Sequence, residues 1–537
     1  MQKARKLWLA GFFIRSAWNA FTPGRRCLII LSLSCHSRLV KSGFHLSDFL
    51  KRAALDFPER TFLVDDEVSM RFAEAAERVE GLASKLFSLG VKPGDRVLLV
   101  SENRVSLVLH LLAVARVGAT FSVLSSQITV ASMQQIMAQC EPVLILLSHS
   151  REDLRCCCDG SRLVWLDEPL PANSGSSKVD LPLSERGDAL AFLVFTSGTT
   201  GMPRGVMLSH ANVEFVTQAI QKRLRYVPED RIGVFLPLSF DYGLYQIFYA
   251  MMCGAAVYLG RPESAGPELP KALARQAITV LPGVPTLFAG LIKMQSWRPA
   301  LLPDLRVMTN TGDHLPLPHL KELQRLFPRV EIFPMYGLTE CKRVSILRPE
   351  EIDRHANTVG RALDGTEVWA ESPEGERLPP GGVGEFMVRG PHVGLGYWRA
   401  PEETAKRYRI QADGARLLVT GDYGSVDAEG FLQFHARSDF MIKHRGYRMS
   451  PVEIEEAACR LPQLTAAGCI KDEAREQLCL FITTHGEVLS DAELLMALAE
   501  HLERAKIPDR IIRLPELPRT ANEKVDRKAL RALLTAV

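Results

Sequence analysis

Between positions 196 and 205 the chain reads Thr196-Ser-Gly-Thr-Thr-Gly-Met-Pro-Arg-Gly205, directly after the apolar run Ala191-Phe-Leu-Val-Phe195. Four hydroxyls, three glycines and one cation thus follow a segment with the character of a buried strand. Glycine lets the backbone approach a ligand closely and reach φ values barred to other residues, while amides and hydroxyls donate to anionic oxygens. The Arg204 guanidinium adds charge in a fork suited to bidentate contact with phosphate. A polyphosphate is the ligand such a loop would hold. It is not a Walker A loop, since no Gly-Lys-Ser/Thr follows at the required spacing, and a polar hairpin turn is the competing reading.

Residues 195–210, Phe-Thr-Ser-Gly-Thr-Thr-Gly-Met-Pro-Arg-Gly-Val-Met-Leu-Ser-His, resemble the phosphate-binding signature of the AMP-forming adenylating superfamily. That group comprises acyl-CoA synthetases, amino-acid adenylation domains and luciferases, and the likeness is nearest to standalone acyl-CoA synthetase-like ligases. It runs in order over residues 44–537. It implies that Thr196, Ser197, Gly198, Thr199, Thr200, Gly201 and Arg204 bind nucleotide. Met335-Tyr-Gly-Leu-Thr-Glu340 matches a second motif. The resemblance implies that Tyr336 stacks on adenine, that Gly337 also binds nucleotide, that Thr339 meets the α-phosphate and that Glu340 helps hold Mg²⁺, a hard cation that takes oxygen ligands. Thr420-Gly-Asp-Tyr-Gly424 is similar to a segment whose Asp, here Asp422, accepts from ribose hydroxyls. The long match Arg437-Ser-Asp-Phe-Met-Ile-Lys-His-Arg-Gly-Tyr-Arg448 implies a nucleotide contact by Arg437 and a hinge at Asp439. It also implies a thioester-forming turn that includes Lys443, Gly446 and Arg448. Leu517-Pro-Arg-Thr-Ala-Asn-Glu-Lys524 is similar to the signature that carries the adenylation lysine, here Lys524.

Together these motifs imply two steps. A carboxylate attacks the α-phosphate of Mg·ATP, and a thiol, either CoA or a phosphopantetheine carrier protein, then displaces AMP. Making the adenylate first supplies the leaving group that a bare carboxylate lacks. Catalytic roles fall to Lys524, Thr339, Glu340 and Arg437. Three departures stand out: Arg204 replaces a lysine, Glu523 replaces the glycine before the adenylation lysine, and Asp313-His314 replace smaller residues of an adenine-pocket segment. His314 is expected as a pocket wall. The acid is the open question. Phe240 and Asp241 lie where amino-acid adenylation domains bind a substrate α-ammonium, which keeps proline or a similar amino acid in view, and Gly312 joins them in the expected pocket. Gly446-Tyr-Arg-Met-Ser-Pro451 is more like acyl-CoA synthetases, and no carrier or condensation segment is attached, so ordinary carboxylic acids are preferred. A luciferase-like oxygenase and a degenerate nucleotide- or acyl-binding homologue are the remaining readings.

These residues need a scaffold. A chain of 537 residues exceeds what one core usually supports. Apolar residues at 47% and charged residues at 24% exclude disordered and fibrous classes. Apolar runs at 97–101, 143–147, 191–195, 234–237, 256–259 and 280–282 alternate with helical stretches such as 105–116. This predicts an α/β fold: a large N-terminal domain of stacked mixed sheets with helices, a β-rich subdomain, and a small mobile α+β C-terminal domain. The expected boundaries are 1–43 for a disordered basic extension, 44–436 for the AMP-binding domain and 437–537 for the small domain. Ser47 is expected to cap the first helix. Residues 1–47 carry eight Lys/Arg and no acid; the total of +3 less those eight positive charges leaves −5 for the rest, which gives no reason to propose nucleic-acid binding. Neither apolar patch of the extension reaches the roughly 20 residues of a membrane span. A cytoplasmic enzyme is expected, with peripheral membrane contact through the extension as the variant reading. Eleven cysteines without CxxC spacing fit reduced thiols rather than a disulfide framework or a metal site.

Overall fold

Parallel strands buried on both faces read as continuous apolar runs, and two sheets of that kind organise the computed structural model. It describes residues 43–158, 163–168, 187–197, 203–261, 265–297, 302–437, 442–444, 447–449, 451–484, 489–502, 506–520 and 524–536. The expected disordered extension therefore falls outside the described residues, apart from residue 43. A nine-stranded sheet has Val307–Asn310, Val280–Gly283, Arg231–Val234 and Ala256–Leu259 in its parallel interior. A seven-stranded sheet places Thr120–Leu124, Arg96–Val100 and Leu144–Leu147 in parallel, and ends in the antiparallel hairpin Leu190–Ser197/Pro203–Ser209 plus Gly396–Tyr397.

Helices pack between the two. Asp241–Cys253 connects two strands of the first sheet, yet Phe192 of the second sheet lies 6.1 Å, ring centroid to centroid, from both Tyr245 and Phe248 on that helix. Twelve of its residues, Asp241–Met251 and Cys253, are buried, as expected of a helix covered on all sides. A third, antiparallel sheet runs from Glu367–Glu371 to Leu432–Arg437. The C-terminal part has a three-stranded sheet (Leu464–Asp472, Gln477–Thr484, Arg510–Arg513) flanked by helices Pro451–Cys459, Asp491–Ala499 and Arg527–Ala536. Its apolar clusters, around Ile454 and Leu480 on one face and Phe481 and Leu530 on the other, are separate from the large core.

One local expectation is corrected. Helix Ser47–Asp56 starts after Leu46 with no side-chain cap at that residue, and the Ser47 hydroxyl is engaged with His45 Nδ1. The Asp48 carboxylate instead accepts from the His45 amide, which fastens the entry to the helix. No helix of the described residues is long and apolar enough to cross a membrane.

Candidate active site

The phosphate-loop segment is built on a hairpin. Ala191–Val194 are buried, with Phe192 and Val194 in one apolar cluster and Leu193 in another, so the strand is packed on both faces; the antiparallel register pairs Thr196 with Arg204 and Ser197 with Pro203. The tip, with Gly198, Thr199, Thr200 and Gly201, lies outside the described residues. At the base Thr196 Oγ1 donates to the Arg204 carbonyl at 3.5 Å, and Arg204 pairs with Glu403 at 3.0 Å. Gly205 is tightly packed: a Cβ there would stand 3.1 Å from the Phe195 ring, which would have to shift by a few tenths of an ångström.

Strand Gly396–Tyr397 pairs with the second arm of this hairpin, Tyr397 opposite Val206. That places the Tyr397 ring 5.8 Å from the Arg204 guanidinium, and its hydroxyl donates to Glu340 Oε1 at 2.6 Å. Burial, then the neighbouring Glu340 carboxylate, raise the Tyr397 pKa, so the phenol stays a donor. Tyr397 thereby ties the hairpin to the Tyr336–Glu340 motif. The sequence reading missed it, because only the strand pairing makes position 397 a neighbour of position 340.

Strand Glu331–Tyr336 delivers the second motif. The buried Tyr336 ring lies 6.0 Å from Phe386 and 5.8 Å from Phe434, and its hydroxyl donates to Asp422 Oδ2 at 2.6 Å. Asp422 is held in turn: its amide donates to Thr420 Oγ1 at 3.0 Å, and that hydroxyl donates to the Phe386 carbonyl at 2.8 Å. Arg437 stands opposite Asp422 in the ladder. After Tyr336 the chain turns tightly. A Cβ on Gly337 would fall 2.3 Å from the Lys342 carbonyl oxygen, while Thr339 and Glu340 remain half-buried.

Phe240 and Gly312 converge: a Cβ on Gly312, which has φ +92°, would lie 3.6 Å from the Phe240 ring. Asp241 opens the buried helix, and its Oδ2 meets Lys342 Nζ at 3.0 Å. His314 reaches the C-terminal part, its Nε2 standing 2.9 Å from Glu456 Oε1 on helix Pro451–Cys459. Lys524 is exposed; its amide donates to Thr520 Oγ1 at 3.3 Å, and its side chain has no hydrogen-bond or ion-pair partner among the described residues. Asp439, Gly446 and Glu523 lie outside those residues. The Lys443–Arg448 backbone pair belongs to a two-stranded ladder.

Among the described residues no cluster of three or more His, Cys, Asp or Glu could hold a metal by itself. The donors present suit Mg²⁺ bound with a polyphosphate: Glu340 has one oxygen taken by Tyr397, and its other has no partner among the described residues. Mg²⁺ typically takes one or two carboxylates and fills its shell with phosphate oxygens and water.

An α/β body of two sheets with helices between them, a hydroxyl-bearing hairpin and the Tyr336–Asp422 pair agree with the fold of adenylate-forming enzymes. The chain belongs to the AMP-binding enzyme family, whose model matches residues 50–398, and the model of the AMP-binding enzyme C-terminal domain matches residues 453–524. It is similar to an L-proline--[L-prolyl-carrier protein] ligase of Pseudomonas fluorescens, 31% identical over 88% of this chain and 96% of that protein. Among solved structures it resembles ATP-bound MatB from Rhodopseudomonas palustris (25% identity, TM-score 0.80, covering 91% of this chain and 98% of that one). It also resembles O-succinylbenzoate Coenzyme A Synthetase (MenE) from Bacillus subtilis in complex with ATP and a magnesium ion (26%, TM-score 0.79, covering 90% and 99%).

Proposed function

We propose that this enzyme is an ATP-dependent acid–thiol ligase. A carboxylate oxygen attacks the α-phosphorus of ATP, forming an acyl-adenylate and releasing pyrophosphate. A thiol then attacks the acyl carbon, the C–O bond to the phosphate breaks, and AMP leaves with that oxygen. The observation that carries this reading is the convergence of two linked pairs, Tyr336 with Asp422 and Glu340 with Tyr397, the latter ring beside Arg204 at the foot of the hairpin.

Each group has a task that its setting supports. The Tyr336 ring offers a face for adenine, and Asp422, held by Thr420, offers acceptors for ribose hydroxyls. The hairpin from Thr196 to Arg204, with Arg204 braced on Glu403, cradles the β- and γ-phosphates. Glu340 would hold the Mg²⁺ that neutralises phosphate charge, with Thr339 at the α-phosphate. Arg437, beside Asp422 in the ladder, completes the nucleotide contacts. Lys524 supplies the cation for the adenylation step, and Asp439 is the hinge about which the small domain (437–537) exchanges Lys524 for the Lys443–Arg448 turn. Chemistry of this kind rests on positioning and electrostatics.

A second reading, a standalone amino-acid ligase that loads a carrier protein, is favoured by the likeness to the prolyl-carrier protein ligase. ATP–pyrophosphate exchange over fatty, aromatic, dicarboxylic and amino acids decides both points. Exchange with at least one acid is expected, followed by thioester formation on CoA or on a phosphopantetheine carrier. Silence with every acid would sink the ligase reading.

A further inference from the structure

The position that an α-ammonium would take on Asp241 is filled from within the chain. Lys342 Nζ lies 3.0 Å from Asp241 Oδ2, and the two side chains are 1% and 8% exposed. The lysine ammonium also sits 4.6 Å from the Tyr245 ring centroid and 5.3 Å from that of Tyr242, both on the helix that Asp241 opens. The backbone pays for this placement: Lys342 adopts φ +63°, the left-handed region that side-chain-bearing residues occupy only when surroundings hold them there. Gly337 leaves room for it, since any Cβ at 337 would collide with the Lys342 carbonyl. The next residue, Arg343, is buried as well; its guanidinium donates to Thr311 Oγ1 and lies 5.5 Å from the Tyr242 ring. No carboxylate within ion-pair distance of Arg343 is found among the described residues. Lys342 is thus the cation paired with Asp241, and Arg343 is a second buried cation beside it in the chain. Burial draws the Lys342 pKa down to about 8, and the Asp241 carboxylate opposes that fall.

We propose that Lys342 is a specificity-determining residue: it occupies Asp241 as an internal counter-ion, so that the enzyme activates carboxylic acids carrying no ammonium next to the reacting carboxylate. This rests on the ligase reading above and names its substrate class. An amino acid would have to displace Lys342 and leave a buried cation uncompensated beside Arg343, and breaking a buried pair in that way is strongly unfavourable. An acid lacking the ammonium leaves the pair intact. Discrimination here works by repulsion as much as by attraction.

The test compares isosteric pairs in ATP–pyrophosphate exchange: cyclopentanecarboxylate with proline, propionate with alanine, 3-phenylpropionate with phenylalanine. The wild-type enzyme should favour the des-amino member of whichever pair it accepts by on the order of 10-fold or more in kcat/KM. Lys342→Met, which keeps the volume and removes the charge, should shift that ratio towards the amino acid by a similar factor. A wild-type preference for the amino acid, or a ratio unmoved by Lys342→Met, would overturn the proposal while leaving the ligase reading intact. Should the single variant fail to fold, the neutral double variant Asp241→Asn/Lys342→Met keeps the question open to measurement. It should retain the des-amino preference, because no carboxylate remains to bind an ammonium, and a swing to amino acids would refute the counter-ion role. Absence of exchange with every acid in the wild type would remove the ligase reading, and this proposal with it.

Discussion

Tyr397 shows what a single side chain adds to a motif. The carboxylate of Glu340 was visible in the sequence as a candidate magnesium ligand, but nothing local says how it is aimed. In the structure the Tyr397 hydroxyl fixes one of its oxygens, and the same ring lies beside Arg204. A hydrogen bond to a charged group is worth about 1.5–3 kcal/mol. Tyr397→Phe is therefore expected to raise the Mg²⁺ concentration needed for half-maximal exchange by roughly 10-fold, the lower part of that range. The KM for the acid should scarcely move. A magnesium titration of exchange at fixed ATP and acid reads this directly, and an unchanged half-point would mean that Glu340 is positioned without the phenol. The motif residues themselves were legible because their chemistry is local: hydroxyls and glycines for phosphate, a carboxylate for a hard cation. Tyr397 and Lys342 were not, since both act through partners 57 and 101 residues distant in sequence.

Elements carry the next layer, and Asp313-His314 illustrate it. Their size looked like a disturbance of the nucleotide pocket. They stand in the segment after strand Val307–Asn310, and His314 reaches helix Pro451–Cys459, where Glu456 receives it. Burial disfavours the imidazolium, yet the hydrogen bond and charge of Glu456, helped by Asp313, prevail and raise the His314 pKa. Glu456 is itself faced by Arg460 and His435. A histidine whose folded pKa is raised lends stability that is complete below its ordinary value of about 6.5 and is lost as pH rises through the folded value. With Glu456 36% exposed, solvent screening limits the effect to on the order of 1 kcal/mol or less. Hydrogen exchange at helix Pro451–Cys459 should accordingly quicken severalfold between about pH 6 and pH 8.5 beyond its intrinsic pH dependence, and His314→Gln should remove that excess. Equal excess in wild type and variant would show that the helix is held by other contacts. At this scale the apolar runs announced Arg96–Val100, Leu144–Leu147, Leu190–Ser197, Ala256–Leu259 and Val280–Gly283, whereas the run at 234–237 only meets the end of strand Arg231–Val234, and the buried Thr120–Leu124 and Val307–Asn310 were not singled out. The expected cap of the first helix fails because the Ser47 hydroxyl, suited to capping by residue type, engages His45 Nδ1 instead.

The whole molecule sets the two steps in sequence. Alternation of strands and helices made the α/β class readable, but strand order was not: Thr61–Val64, an early strand, pairs with Ala256–Leu259, and such long crossovers leave no trace in local periodicity. The separate apolar clusters of the C-terminal part bear on the proposed alternation, because a segment with its own packed interior can turn as a body without opening the large core. Lys524 sits exposed beyond strand Arg510–Arg513, on the backbone ladder that joins Arg519 to Val525. If its ammonium serves only adenylation, its removal divides the reaction in two. Lys524→Ala should lower adenylate formation by on the order of 10²–10³, the usual effect of deleting one pre-organised group that stabilises transition-state charge. Thiolysis of an adenylate supplied ready-made should continue within about twofold of wild type, since that step would use the Lys443–Arg448 turn instead. Single-turnover thioester formation from the synthetic adenylate, run beside pyrophosphate exchange from ATP, separates the two rates. Parallel loss of both would mean that one arrangement of the small domain serves both steps, and the alternation about Asp439 would have to be abandoned.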